Sequence, residues 1–239
     1  MIKIENISKV FKKKVALNNV SLDIKMGEVV ALIGENGAGK STLMRIMCGY
    51  IEPTAGSVSI FENDIKNKRL EALAHIGYVP ELSVLYGDMI VYDFLEWIAG
   101  VWQISEKEKA IIEASKQMKI VDVLNERIEN LSKGYKKRVE IASQILHNPN
   151  FLILDEPTDG LDPNQKHDIR LFIKKYAKKN SVLISTHVLE DADIADRVIM
   201  LSKGKIIKDT TIKNFRKISK NNDLREAFRI LSLNEKEEK

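Results

Sequence analysis

A glycine-rich segment constrains this chain more than any other feature. Residues 34–42 read GENGAGKST, with the mainly apolar runs 28–33 before them and 43–47 after them. A buried strand, a glycine turn and a helix, in this order, form the context in which such a pattern binds phosphate groups. Backbone N–H groups of the turn can point at the anion, and a helix beginning near Lys40 presents its positive end to it. The segment therefore predicts a P-loop that binds a triphosphate.

Two side chains of the predicted loop have specific chemical roles. Lys40 can reach the β- and γ-phosphates, and the Ser41 hydroxyl can ligate Mg²⁺. We expect the loop to hold the nucleotide through Gly34, Asn36, Gly37, Ala38, Gly39, Lys40, Ser41 and Thr42.

A second short strand ends in two adjacent acids. Residues 151–156 read FLILDE, and side chains alternate along a strand, so Asp155 and Glu156 are expected to point in different directions. An acid at this strand end orders Mg²⁺ in P-loop enzymes, which suits Asp155. Glu156 can then orient or deprotonate an attacking water. The alternative is a solvated turn that happens to carry two acids.

Composition is ordinary for a globular chain of this length. Of the 239 residues, 44% are hydrophobic and 30% charged, and the net charge of +4 does not argue for a nucleic-acid partner. Cys48 is the sole cysteine, so an intramolecular disulfide is impossible, and we expect it to be buried. We do not expect the first residues to form a signal peptide, and no apolar stretch approaches the roughly 20 residues of a membrane helix. We expect a cytoplasmic chain.

Hydrophobic periodicity predicts an α/β fold. The first 30 residues alternate like paired antiparallel strands, and further strands are predicted at 57–61, 76–79, 151–154, 182–185, 198–202 and 205–208. Helical patterns cover 91–131, with turns near 104–105 and 129–130, and then 134–147 and 165–179, and the tail at 222–231 is helical. Strands alternating with helices around a phosphate loop imply a mainly parallel, doubly wound sheet. We expect one domain, 1–239, with a core of 1–88 and 149–239 and an inserted helical subdomain, 89–148.

A short segment near the end of the helical subdomain resembles a family signature. Residues 131–135 read LSKGY, which is similar to the Leu-Ser-Gly-Gly-Gln signature of ATP-binding subunits of the ABC transporter family; Lys133 and Tyr135 depart from it. A hydroxyl and free N–H groups at a helix N-terminus suit an anion. The resemblance implies that Ser132 and Gly134 meet the γ-phosphate of an ATP held by a second ATP-binding subunit, in a head-to-tail dimer that sandwiches two ATP molecules.

Four further residues match the order of motifs in this family. Phe11 corresponds to the aromatic residue that stacks on adenine, although core packing is an alternative. Asp162, in the loop after the acidic strand, corresponds to a residue that couples the two sites. His187 resembles the switch histidine that contacts the γ-phosphate, with a structural histidine as the alternative. Glu81 stands where the family usually has a glutamine that ligates Mg²⁺; a carboxylate can still supply that oxygen.

The resemblance implies an ATPase subunit that works with integral membrane permease subunits, peripheral on the inner face of the membrane. The run GYVPE at 77–81 resembles bacterial export subunits of the bacitracin-resistance and gliding-motility type, which favours export. Whether the partner ATPase is a second copy or a sister chain stays open. The rival interpretations are a mechanical ATPase acting on ribosomes or DNA and a regulator without turnover. Near the Glu81 loop, aromatic side chains form either a permease contact or core: Tyr86, Tyr92, Phe94, Trp97 and Trp102.

Overall fold

The computed structural model describes residues 1–82 and 85–237. Its strands are β1 (Ile2–Phe11), β2 (Lys14–Ile24), β3 (Val29–Ile33), β4 (Ala55–Ile60), β5 (Asn63–Asp64), β6 (Ile76–Val79), β7 (Phe151–Asp155), β8 (Ser181–Thr186), β9 (Arg197–Ser202) and β10 (Lys205–Thr211). Its helices are α1 (Lys40–Met47), α2 (Arg69–Leu73), α3 (Val91–Val101), α4 (Lys107–Met118), α5 (Lys133–Ile145), α6 (Pro163–Ala177), α7 (Leu189–Ala192), α8 (Ile212–Arg216) and α9 (Leu224–Glu237).

Six strands form the central sheet in the order β10-β9-β3-β8-β7-β6. All neighbours are parallel except β10, which returns antiparallel to β9 through the predicted hairpin. Strands β3, β7 and β8 are buried at every position, as expected for a parallel sheet covered on both faces. Because the strands run in the same direction, the carboxyl ends of β3, β7 and β8 lie side by side.

A second sheet, in the order β2-β1-β4-β5, is antiparallel throughout. The alternating apolar residues of β1 and β2 are buried, and Ile2 pairs with Ile24 while Ile4 pairs with Leu22. The predicted fold class, a mainly parallel doubly wound sheet with an N-terminal antiparallel part and a helical insert, is confirmed.

Two buried clusters cover opposite faces of the central sheet. Along β3, Ala31 packs into the cluster shared with α3, α4, α5 and α6, whereas Leu32 packs into the cluster shared with α1 and the antiparallel sheet. Cys48 is 3% exposed in the second cluster, so its predicted burial is confirmed. The ends of the central strands therefore belong to a sheet that is packed on both faces, which fixes the positions of the residues that follow them.

The helical insert has the predicted turn near 104–105, between α3 and α4, and differs from its prediction at Lys119, where α4 ends. The pattern over 91–131 is interrupted at Gln103 and Lys119, whose φ values of +53° and +54° end α3 and α4; the segment then continues through short 3₁₀ turns at Val121–Val123 and Ile128–Asn130. The short elements β5, α2, α7 and α8 are absent from the sequence prediction, because two to five residues show too little periodicity.

The aromatic residues near residue 90 do not form one surface. Phe94 is 5% exposed and belongs to the core, and the Trp102 ring stacks on His147 at 3.9 Å between centroids. Tyr86 and Trp97 are each 48% exposed and meet edge to face at 5.6 Å. The core interpretation is therefore correct for Phe94, and the surface interpretation is kept for Tyr86 and Trp97. Among the described residues, no helix is both long enough and apolar enough to cross a membrane.

Candidate functional site

The glycine-rich loop joins the end of β3 to the start of α1 and is pressed against β2. Gly39 is the residue before α1 and has a φ of +111°. A Cβ at this position would lie 2.7 Å from the Ala16 carbonyl oxygen and 2.8 Å from Leu17 Cδ2. Both the backbone conformation and the lack of space require glycine here. The loop is therefore held in shape by the antiparallel sheet.

Lys40, the first residue of α1, extends back across the loop. Its side-chain Nζ donates to the carbonyl oxygens of Gly34 at 2.7 Å and Glu35 at 3.3 Å, and the residue is 8% exposed. Burial lowers the pKa of the Lys40 ammonium, and the carboxylates of Glu156 and Asp155 oppose this by favouring the charged form. A cation held at the mouth of a loop of backbone N–H groups suits a polyphosphate.

Asp155 ends β7 and is 4% exposed. Burial raises the pKa of its carboxyl, while the neighbouring hydroxyls of Ser185 and Ser41 stabilise the charged form and oppose the rise. The Glu81 carboxylate also adds negative charge here. A hydroxyl and two carboxylates around one cavity are the hard oxygen donors that Mg²⁺ prefers, so these residues fit that ion.

Glu156 and His187 are in direct contact. The Glu156 carboxylate accepts from the backbone N–H of His187, with its oxygens at 3.0 and 3.3 Å, and Oε1 lies 2.9 Å from His187 Nδ1. The contact arises because β7 and β8 are neighbours in register, with Asp155 opposite Ser185. Glu156 has a φ of +49°, an uncommon backbone conformation for a non-glycine residue. This turn directs its side chain away from that of Asp155 and towards His187.

These groups surround one cavity of about 560 Å³. Twelve of its fourteen lining residues are among those predicted from the sequence: Phe11, Asn36, Gly37, Ala38, Gly39, Lys40, Ser41, Thr42, Glu81, Asp155, Glu156 and His187. Phe11 is 43% exposed at its edge, with the Lys9 ammonium 5.0 Å from the ring centroid. Gly34 contributes through the carbonyl that accepts from Lys40.

Sequence reasoning missed two lining residues, Lys14 and Ala16 on β2. The hairpin register places Lys14 opposite Phe11, so a lysine enters the cavity beside the aromatic ring. The basic run at 12–14 next to Phe11 was the available signal.

The remaining predicted residues, Ser132, Gly134 and Asp162, do not line this cavity of the described chain. Ser132 caps α5 by accepting from the backbone N–H of Tyr135 at 3.4 Å. Asp162 caps α6 by accepting from Gln165 N at 3.0 Å, and the Gln165 side chain covers Gly134. The two helix starts therefore lie together, apart from the P-loop cavity of the same chain.

Comparisons with known proteins identify the family of this chain. A family model described as ABC transporter matches residues 17–159, more than half of the chain. The chain is 31% identical over 227 residues to the "Probable multidrug ABC transporter ATP-binding protein YbhF" of Escherichia coli (strain K12), an alignment that covers 93% of this chain. The chain spans 39% of that relative's length.

Two solved structures share the fold at 28% identity. "Structure of ATP binding subunit of ABC transporter" superposes with a TM-score of 0.87 and covers 97% of this chain and 99% of its own. "Dimeric structure of a post-hydrolysis state of the ATP-binding cassette MJ0796 bound to ADP and Pi" superposes with a TM-score of 0.80 and covers 88% and 98%. With the family model, the fold and the P-loop cavity in agreement, this chain belongs to the ABC transporter family, as one of its ATP-binding ATPase cassettes.

Proposed function

We propose that this chain is the ATP-hydrolysing subunit of a membrane ABC transporter, which binds Mg-ATP and pairs head to tail with a second ATP-binding subunit. The observation that carries the proposal is the separation of two half-sites on one chain. The P-loop cavity holds the phosphate cradle and the acids, whereas Ser132 and Gly134 lie outside it. A second subunit facing the cavity would supply the missing anion site, and the solved MJ0796 cassette is a dimer.

The chemistry is attack of water on the γ-phosphorus in line with the leaving ADP. Glu156 accepts the proton of the attacking water, and its contact with His187 fixes the direction of its carboxylate. The developing charge on the transferring group is stabilised by Lys40, His187 and the Ser132 of the facing subunit. Catalysis of this kind depends mainly on positioning, so the lone chain is expected to be a poor ATPase.

Mg²⁺ would be held by Ser41, Asp155 and Glu81, together with oxygens of the nucleotide. When bound, the ion neutralises charge on the β- and γ-phosphates. Asp155 keeps its carboxylate at the end of β7, where the hydroxyl of Ser41 already approaches it. Glu81 adds an oxygen from the loop that leaves β6.

The dimer is tested with two kinds of variants. Glu156→Gln removes the proton acceptor but leaves the phosphate cradle, so it is expected to bind ATP and accumulate as a dimer in size-exclusion chromatography with light scattering. Lys40→Ala and Ser132→Ala, each inactive alone, are expected to recover activity when mixed, because the mixed dimer holds one intact composite site. A Glu156→Gln chain that binds ATP and stays monomeric would contradict the shared site.

We further propose that membrane subunits dock near Tyr86 and Trp97 and that the transporter is an exporter whose ATPase lies on the inner face of the membrane. Half-exposed aromatic side chains are favoured at interfaces, and the name of YbhF refers to multidrug transport. Trp97→Ser is expected to reduce co-purification with the membrane subunits without weakening ATP binding. Leu171→Ser, at a similarly exposed apolar residue of α6, is the control. Equal retention of membrane subunits by both variants would argue against docking here.

A further inference from the structure

A buried carboxylate lies behind the contact between Glu156 and His187. Asp191, in α7, is 1% exposed. Its Oδ2 accepts a hydrogen bond from the Thr158 hydroxyl, and the Thr186 hydroxyl, 3.4 Å away, shares its proton between Oδ2 and the Val188 carbonyl oxygen at 3.2 Å. Both threonines are 0% exposed, so water cannot replace these bonds. A single carboxylate oxygen therefore joins two chain segments inside the protein.

The two joined segments are those that carry the proposed catalytic pair. Thr158 lies two residues after Glu156, in the loop that leaves β7, and the Asp159 N–H donates to the Glu156 carbonyl at 3.2 Å. Thr186 is the last residue of β8 and directly precedes His187. Moving either threonine away from Asp191 would therefore shift Glu156 relative to His187.

The other oxygen of Asp191 is tied to α6. Arg170 donates to Oδ1 from Nε at 2.7 Å and approaches it with Nη2 at 2.6 Å. Both nitrogens meet the same oxygen in a charge-assisted contact, which anchors Oδ1 at α6. It leaves Oδ2 aimed at the two threonines. The plain alternative is an ion pair that merely attaches α7 to α6, in which case the threonine hydroxyls would not matter for chemistry.

We propose that Asp191 is a positioning residue for ATP hydrolysis: through Thr158 and Thr186 it keeps Glu156 and His187 in contact. The inference rests on the proposed function, because that function makes Glu156 the proton acceptor. It assigns Asp191 to the hydrolytic step and not to nucleotide binding, since neither Asp191 nor either threonine lines the cavity.

The test uses Thr158, because Asp191→Asn leaves Arg170 without its charged partner and can impair folding. Thr158→Val removes the hydroxyl while keeping the side-chain shape, and Thr158→Ser keeps the hydroxyl. A small misplacement of a catalytic group can reduce turnover by about 100-fold. We expect a loss of this order in kcat for Thr158→Val with KM for ATP nearly unchanged, and near-normal kcat for Thr158→Ser.

A spectroscopic arm makes the test independent of turnover. Nδ1 of His187 faces the Glu156 carboxylate, so the neutral ring is expected to carry its proton on Nδ1, which ring ¹⁵N shifts report. The chain has four histidines, and a His187→Gln variant identifies the signal. Thr158→Val should shift the ring towards the other tautomer, whereas Thr158→Ser should not.

The outcomes separate this inference from the proposed function. A wild-type chain that binds ATP but never hydrolyses it, even with its partners, would refute the proposed function, and the ring spectra would still show whether Thr158 maintains the Glu156–His187 contact. Equal kcat and equal spectra for the valine and serine variants would overturn the inference. So would a Thr158→Val variant whose defect lies in KM alone.

Discussion

Replacing Gly39 with alanine is expected to destabilise the P-loop far more than the same change at Gly37. Both glycines have positive φ, +111° and +80°, but a Cβ at Gly37 meets nothing within 4 Å. At Gly39 the added carbon would lie 2.7 Å from a backbone oxygen of Ala16 and 2.8 Å from Leu17. The pair of variants therefore separates lack of space from backbone strain.

The two contributions have different sizes. A side chain on a left-handed backbone costs roughly 1–2 kcal/mol, which both variants share. Overpacking adds about 1–3 kcal/mol, and only Gly39→Ala incurs it. We therefore expect unfolding free energies lowered by about 1–2 kcal/mol for Gly37→Ala and by about 2–5 kcal/mol for Gly39→Ala.

Urea unfolding measures these losses, and calorimetric ATP titration measures the consequence for the site. The carbonyl of Ala16 belongs to β2, so the methyl group must push the loop away from the antiparallel sheet and disturb the phosphate cradle. ATP affinity should therefore fall more for Gly39→Ala. Equal losses of stability in the two variants would refute the reasoning, because the close contact would then carry no energy.

Three further predictions concern ionisable groups. Burial raises the pKa of Asp155, so the charge of its carboxylate opposes folding at neutral pH. Asp155→Asn should therefore raise the unfolding free energy at pH 7. This gain should be lost as the pH falls towards 3.8, the ordinary pKa of the carboxyl group. Urea denaturation of the wild type and the variant at pH 7 and near pH 4 checks this, and a variant less stable than the wild type at pH 7 would contradict it. Burial lowers the pKa of His147 below its ordinary 6.5, so stability present above 6.5 should decline as the pH falls through the lowered pKa. His147→Gln should flatten that decline in thermal melts, and an unchanged slope would count against it. Glu81→Gln should alter the Mg²⁺ dependence of ATPase activity, because it removes a negative charge beside Asp155 and Lys40; an unchanged metal titration would remove the case for a metal-binding Glu81.

Much of the site follows from local sequence. The strand, glycine loop and helix at 28–47 are contiguous, so their phosphate-binding shape could be predicted without tertiary contacts. Asp155 and Glu156 were predicted because the two acids end an apolar strand in a chain that also carries a P-loop, a context that favours a metal and water site over a solvated turn. The central strands are fully buried, and short apolar runs bounded by turn residues are consistent with such strands.

The tertiary structure decided the features that join distant segments. The basic run at 12–14 does not by itself show that Lys14 enters the cavity, since this depends on how the β1–β2 hairpin lies over the P-loop. The bonds from Thr158 and Thr186 to Asp191 depend on the packing of α7 beside two strand ends. Sequence alone thus determined which chemical groups the chain carries, because those motifs are local; folding decided which groups meet, because side-chain contacts across a sheet depend on strand order and register.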